Sequence, residues 1–150
     1  MSSSDPDTWF RFVRAHRCLI REIERRLAAA KLPAYAWYDA LWGLESGPGG
    51  SRRMSELADV MAIERYNLTR LVDRLEAEGL VTRSRAADDG RGAYAVITES
   101  GKVLRKKMWQ VYEGAVDELF LAQFDGEQQQ TFSDALERAA TAARNSGRAG

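Results

Sequence analysis

The sequence is poor in the residues that usually carry chemistry. One cysteine, Cys18, and one histidine, His16, stand among 150 residues. A lone cysteine excludes an internal disulfide and a cysteine-based metal cluster, and a lone histidine excludes zinc sites of the H-E-x-x-H type. Neither a metal nor a cofactor is therefore expected. Uninterrupted apolar runs stop at five residues, at 34–38 and 93–97, whereas a membrane span needs ~20. The first seven residues are polar and acidic rather than basic-then-apolar, so no secretory leader is read there. A G-x-S-x-G elbow, a phosphate loop and a dinucleotide glycine fingerprint are all missing, which argues against an enzyme and leaves no catalytic residue to name. The expectation is a soluble, cytoplasmic chain without a membrane partner.

What is present is a globular composition. Apolar residues make up 45% of the chain, enough for a hydrophobic core, and the length suits one domain. The 22 basic and 22 acidic side chains cancel overall but not locally. Residues 1–51 carry seven basic and six acidic groups, residues 52–107 twelve and nine, and residues 108–150 three and seven. A basic middle followed by an acidic end directs any polyanionic partner to the middle third.

Hydrophobic spacing organises the rest into a mainly α chain. Trp9, Phe12, Val13, His16, Ile20, Ile23, Leu27 and Ala30 recur at three- and four-residue gaps, predicting a helix over 7–31 with one buried stripe. Pro33 closes that segment and opens an aromatic helix over 34–45, followed by a turn-rich loop at 46–51. A short helix over 54–61, with Ser55 as N-cap and Leu57, Val60 and Met61 inward, leads through a tight turn to a second helix over 65–78. Gly79 stands where a left-handed residue ends a helix. Two short strands, 82–85 and 93–98, flank the glycine-rich tip 86–92 as a hairpin. Thr98 caps a long helix to about residue 122. Asp125 and Gln128 form a capping box for a last helix to about 144, and residues 145–150 are expected to fray.

Helix, tight turn, helix and hairpin in that order make a winged helix-turn-helix. The second helix of such a pair enters a major groove when its outward face carries hydrogen-bond donors and cations. With Leu68, Leu71, Val72 and Leu75 buried, Arg65, Tyr66, Asn67, Thr69, Arg70 and Arg74 are left to face outward or sideways. Arginine holds guanine bidentately and asparagine does the same for adenine. Arg83 and Arg85 on the hairpin add charge, and Arg91, bounded by glycines at its tip, suits a minor groove. The alternative use of these arginines is ordinary salt bridging to Glu64, Asp73, Glu76, Glu78, Asp88 and Asp89.

The run Met54-Ser55-Glu56-Leu57-Ala58, the stretch Leu68-Thr69-Arg70-Leu71-Val72-Asp73-Arg74-Leu75-Glu76-Ala77-Glu78-Gly79-Leu80-Val81, the tip Asp88-Asp89-Gly90-Arg91-Gly92 and the turn Ile97-Thr98-Glu99-Ser100-Gly101 resemble the MarR family of bacterial transcriptional regulators. The element order resembles it along nearly the whole chain, and the specific matches lie in 54–101. The resemblance implies one MarR-type domain, with 34–100 as the DNA-binding region and the helices 7–31 and 102–144 forming an obligate homodimer. It implies that 65–78 reads the major groove of double-stranded DNA, that Arg91 enters the minor groove and that Asp89 supports the wing. It also implies repression of nearby genes, relieved by a small phenolic or aromatic acid. The stripes on the terminal helices point to the same dimer independently, since a winged helix is complete without them.

For such an effector, apolar walls with a few converging polar groups are needed. Arg14, His16, Tyr38 and Trp42 are the candidates, with Trp109 closing the site and an arginine holding a carboxylate. Cys18 admits a thiol-based redox-sensing alternative; a free cysteine is more often buried and inert, and that is the expectation here. The remaining alternative is a winged-helix dimer that acts through a protein partner.

Overall fold

The structure, a computed structural model, describes residues 5–85 and 93–149. The chain divides into two compact units, one up to Glu113 and one from Gly114.

The first unit opens with helix α1, Pro6–Ala29. Asp5 caps it by accepting the Asp7 N–H at 3.0 Å, and Pro6 occupies the first turn, where its missing N–H costs nothing. The expected stripe is buried only toward its end, at Ile23 and Leu27; Trp9, Phe10 and Phe12 are 61%, 55% and 42% exposed. Helix α2, Tyr35–Glu45, follows Pro33 and buries Tyr38, Ala40, Leu41 and Leu44.

The loop expected to run through Ser51 ends earlier. Ser51–Arg53 form a strand, β1, that the three polar residues do not announce; it exists because Ser51 pairs with Val96 and Arg53 with Tyr94 of the strand at 93–97. Helix α3, Met54–Met61, therefore begins with Arg53 as its N-cap, and Ser55 lies inside it. The Glu56 carboxylate accepts the Arg53 N–H at 3.0 Å, satisfying one terminal donor. Leu57 and Ala58 are buried, whereas Val60, expected inward, is 50% exposed.

Helix α4, Arg65–Ala77, buries Leu68, Leu71, Val72 and Leu75 as its spacing predicts. It ends in a Schellman turn. Gly79 takes φ 74°, its N–H donates to the Glu76 carbonyl at 3.0 Å, and the Leu80 N–H donates to the Leu75 carbonyl at 2.9 Å. Strands β2, Val81–Arg85, and β3, Ala93–Ile97, pair antiparallel, and the sheet order is β1-β3-β2. The tip between β2 and β3 lies outside the described residues.

Helix α5, Glu99–Ala115, is capped as expected: the Thr98 hydroxyl accepts the Gly101 N–H at 3.0 Å. The same hydroxyl donates to the Gly79 carbonyl at 2.7 Å, fastening the start of α5 to the end of α4. One core joins these parts. Leu41 and Leu44 of α2, Leu57 of α3, Leu68, Val72 and Leu75 of α4, and Val81, Ala95 and Ile97 of the sheet pack together. Each large side chain buried this way contributes ~1.5–3 kcal/mol, so α4 is held in place along its whole inner face.

In the second unit the helix expected to continue to residue 122 changes pitch. A π-helical turn, Val116–Phe120, and a 3-10 turn, Leu121–Gln123, intervene. Helix α6, Gly126–Ala149, starts at the expected capping box: the Gln128 N–H donates to Asp125 at 2.8 Å and the Asp125 N–H to Gln128 at 2.9 Å. It does not fray at 145 but continues to Ala149, since no proline interrupts it and alanine favours helix. The rings of Phe120, Phe124 and Phe132 lie 5.3–6.0 Å apart.

Candidate nucleic-acid interface

Helix α4 is two-faced. Opposite its buried leucines, Arg65, Tyr66, Asn67, Thr69, Arg70 and Arg74 are all exposed, Tyr66 to 69%. Two of these side chains are already organised. An Arg70 Nη1 donates to the Tyr66 hydroxyl at 3.1 Å, and the guanidinium carbon lies 5.6 Å from the centre of the Tyr66 ring. The Thr69 hydroxyl donates to the Arg65 carbonyl at 3.0 Å, so its proton is used within the helix while its methyl and lone pairs face out.

Arg83, expected to join this surface, is engaged elsewhere. Its Nη2 lies 2.6 Å from Asp73 and 2.7 Å from Glu76, and its Nε donates to Glu76 at 3.1 Å. The guanidinium beside Glu76 holds that carboxyl below the usual carboxylate range. Arg83 thus ties β2 to the C-terminal half of α4 and offsets part of the negative charge of two carboxylates that would otherwise repel a polyanion. This is the salt-bridging alternative named from the sequence, and the residues meet once the Schellman turn folds β2 back along the helix. Arg85 ends β2, and its side chain, like Asp89 and Arg91, lies outside the described residues.

The sheet is braced from its other edge by two arginines that the sequence reading did not single out. The Arg53 Nε donates to the Tyr94 hydroxyl at 3.1 Å, and the Arg52 Nε to the Gly43 carbonyl at 2.6 Å.

The effector candidates separate into two groups. Tyr38 is buried in a ring cluster, stacked on Trp109 at 5.9 Å and beside Tyr112 at 5.0 Å. Tyr35 completes the cluster, its hydroxyl 3.3 Å from that of Tyr112. Burial, chiefly, pushes the phenols of Tyr35 and Tyr38 above the ordinary tyrosine range and raises the carboxyl of Asp39, the residue after Tyr38. Trp42 is 46% exposed and lies under Arg105, whose guanidinium carbon is 5.3 Å from the ring. Arg105 in turn grips Glu45 bidentately at 2.8 and 3.1 Å, joining α5 to α2. Arg14 and His16 stand exposed on α1; among the described residues no hydrogen bond, ion pair or ring contact joins them to Tyr38 or Trp42. The arginine next to these aromatics is Arg105, not Arg14. His16 is not part of a buried stripe, because α1 buries its apolar side only from Ile23 onward.

Cys18, expected to be buried, is exposed. A concavity of about 400 Å³ opens in the second unit, lined by Phe120, Phe124, Gln129, Phe132 and Leu136 among others, and none of the four effector candidates borders it. Among the described residues no group of three or more His, Cys, Asp or Glu side chains could hold a metal ion, and no helix is long and apolar enough to cross a membrane.

Comparison with known proteins bears on this surface directly. Residues 33–92 match the profile of the MarR family. Over 61 residues the chain is 33% identical to YfiV of Bacillus subtilis (strain 168), an uncharacterized HTH-type transcriptional regulator; the match spans 41% of this chain and 38% of that protein. Among solved structures, AbsC, a MarR family transcriptional regulator from Streptomyces coelicolor, superposes with a TM-score of 0.85 at 26% identity, covering 97% of both chains. Sco3205, a MarR family transcriptional regulator of the same organism solved in complex with DNA, gives a TM-score of 0.86 at 25% identity, covering 95% of this chain and 93% of that one.

Proposed function

We propose that this chain, whose residues 33–92 belong to the MarR family and which carries the winged helix-turn-helix fold of that family's regulators, is a homodimeric regulator of transcription that represses by occupying double-stranded DNA. The single observation that carries the reading is the outer face of α4. Three arginines, a tyrosine, an asparagine and a threonine are exposed there over a helix whose opposite side is locked into the core. A rigid element presenting cations and bidentate donors is what a major groove accepts.

In this reading Arg65 and Arg74 meet phosphates, while Asn67, Thr69 and Arg70 meet base edges. Arg85 and Arg91 carry the wing to the neighbouring minor groove, and Asp89 supports the wing. A second copy covers the exposed Trp9, Phe10 and Phe12 of α1 and the apolar stripe of α6, as the resemblance implies. Two copies related by a twofold axis place two α4 helices on matching half-sites. A small aromatic acid relieves repression by binding one dimer arrangement better than the DNA-competent one, since only differential affinity shifts such an equilibrium. Of the residues first considered for that ligand, Tyr38 and Trp42 stay in the proposal because Trp109 and Arg105 adjoin them, and Arg14 and His16 leave it.

Titration of the full chain against a duplex from its own promoter at a series of salt concentrations tests the reading. Affinity is expected to fall steeply and log-linearly with salt, by ~0.9 for each phosphate contacted. Asn67→Ala and Arg70→Ala are expected to change base preference at single positions, each by ~1–3 kcal/mol of discrimination. A folded chain that shows no binding, or binding indifferent to salt, refutes the reading and leaves a protein partner as the alternative.

A further inference from the structure

The Arg70–Tyr66 pair has a geometry that an ordinary surface arginine lacks. From it, and resting on the reading of α4 as the groove-facing helix, we infer that Tyr66 is a positioning residue that sets Arg70 to read guanine. The two residues are four apart on α4, so their side chains lie one above the other on the same face. Arg70 Nη1 donates to the Tyr66 hydroxyl at 3.1 Å, and the guanidinium carbon stands 5.6 Å from the ring centre. Guanidinium is a planar fork of five N–H groups. With Nη1 engaged, the opposite edge, Nε and Nη2, stays open and offers two parallel donors. Guanine presents O6 and N7 in the major groove as two adjacent acceptors that match such an edge.

Tyrosine suits this task better than the usual partner of an arginine. A carboxylate, as at Arg83, would hold the side chain but cancel the charge that draws it to DNA. A phenol holds it and leaves the charge intact. Among the described side chains of α4, Arg65 and Arg74 have no such tether, which suits contacts to a phosphate backbone that tolerate a mobile arm. An arginine already restrained also loses less rotamer freedom on binding. Tyr66 gains little from packing, being 69% exposed, so the core does not explain an aromatic ring at this position. Asn67, three residues before Arg70, lies on the same face and would read adenine close to that guanine.

The test is selection of bound sequences from a randomised duplex pool by the full chain and by Tyr66→Phe, Arg70→Ala and the double variant. Thermal unfolding is followed for each; exposure of both side chains makes folding insensitive to the changes. The parent is expected to enrich a guanine at a fixed position of each half-site. Arg70→Ala is expected to lose that guanine and keep the others. Tyr66→Phe keeps the ring but loses the hydroxyl, and its preference for that one guanine is expected to fall about 3- to 10-fold. The double variant is expected to match Arg70→Ala at that position, because Tyr66 acts through Arg70. Undiminished guanine preference in Tyr66→Phe overturns the inference, as does a double variant whose loss is the product of the single losses. A parent that enriches a site in which Arg70→Ala changes no guanine also overturns it while the DNA-binding reading stands. A parent that enriches nothing overturns both.

Discussion

Gly101 and Gly114 sit in the same helix, α5, and replacing each with alanine is expected to move stability in opposite directions. Alanine is favoured over glycine in a helix interior by ~1 kcal/mol, largely because glycine has more freedom to lose on folding. At Gly114 an added Cβ meets nothing within 4 Å, so Gly114→Ala is expected to gain ~0.5–1 kcal/mol. At Gly101 the same Cβ would press on the Leu80 carbonyl oxygen and lie 2.7 Å from Ile97 Cγ1. Neither neighbour is free to retreat. Leu80 is the residue whose N–H closes the Schellman turn onto Leu75, and Ile97 is a buried residue of β3. Overpacking of this kind costs ~1–3 kcal/mol, which outweighs the helical gain and leaves Gly101→Ala ~1–2 kcal/mol less stable than the parent. Urea unfolding followed by far-UV circular dichroism reads the difference. With slopes of ~1–3 kcal/mol per molar urea, the two variants are expected to have midpoints separated by ~1 M. Protein concentration must be equal throughout, since association with a second copy shifts apparent stability. A Gly101→Ala protein as stable as the parent would refute the close approach of α5 to the end of α4.

Two further outcomes concern carboxylates. Glu76 is held below its ordinary value of 4.5 by Arg83, so the stability that pair contributes is present above that value and is lost as pH falls through the lowered one. Arg83→Met is expected to unfold at lower temperature than the parent at pH 7 and to show less loss on acidification through this window; an unchanged acid limb would contradict the clamp. Asp39 is the opposite case, raised above 3.8 by burial, so its folded form favours the proton and its ionisation opposes folding as pH rises through the raised value. Asp39→Asn is therefore expected to melt higher than the parent at pH 7, and a lower melting temperature would mean that the carboxylate has a stabilising partner.

How much of this was legible in the sequence depends on how local each feature is. The buried face of α4, the left-handed Gly79, the Thr98 cap and the Asp125–Gln128 box all rest on contacts within a few residues, and spacing alone located them. Strand β1 was not legible, because Ser51–Arg53 have no apolar alternation and become a strand only by pairing with β3, some 40 residues on. For Arg83 the sequence offered two uses, DNA contact and salt bridging, and the ion pairs with Asp73 and Glu76 form only when the fold brings β2 against α4. The outward Val60 shows that a short amphipathic pattern does not fix which borderline residue turns in, and the exposed Cys18 shows that the general tendency of free cysteines to be buried does not decide a single position. In the effector region the aromatic content of α2 and the ring of Trp109 were visible, but Tyr112 and Arg105 come from α5 and required the packing of the two helices to be known. The Tyr66–Arg70 pair is an i,i+4 neighbourhood that spacing permits; its hydrogen bond is a matter of rotamer.

The central claim is that two copies of α4 address successive major grooves of one duplex. Footprinting of the full chain on its promoter, combined with the stoichiometry of the complex by light scattering, tests it most directly. Two chains per duplex are expected, protecting matching half-sites whose centres lie ~10 base pairs, or a multiple of that, apart. One chain per duplex, or protection without twofold symmetry, would contradict it.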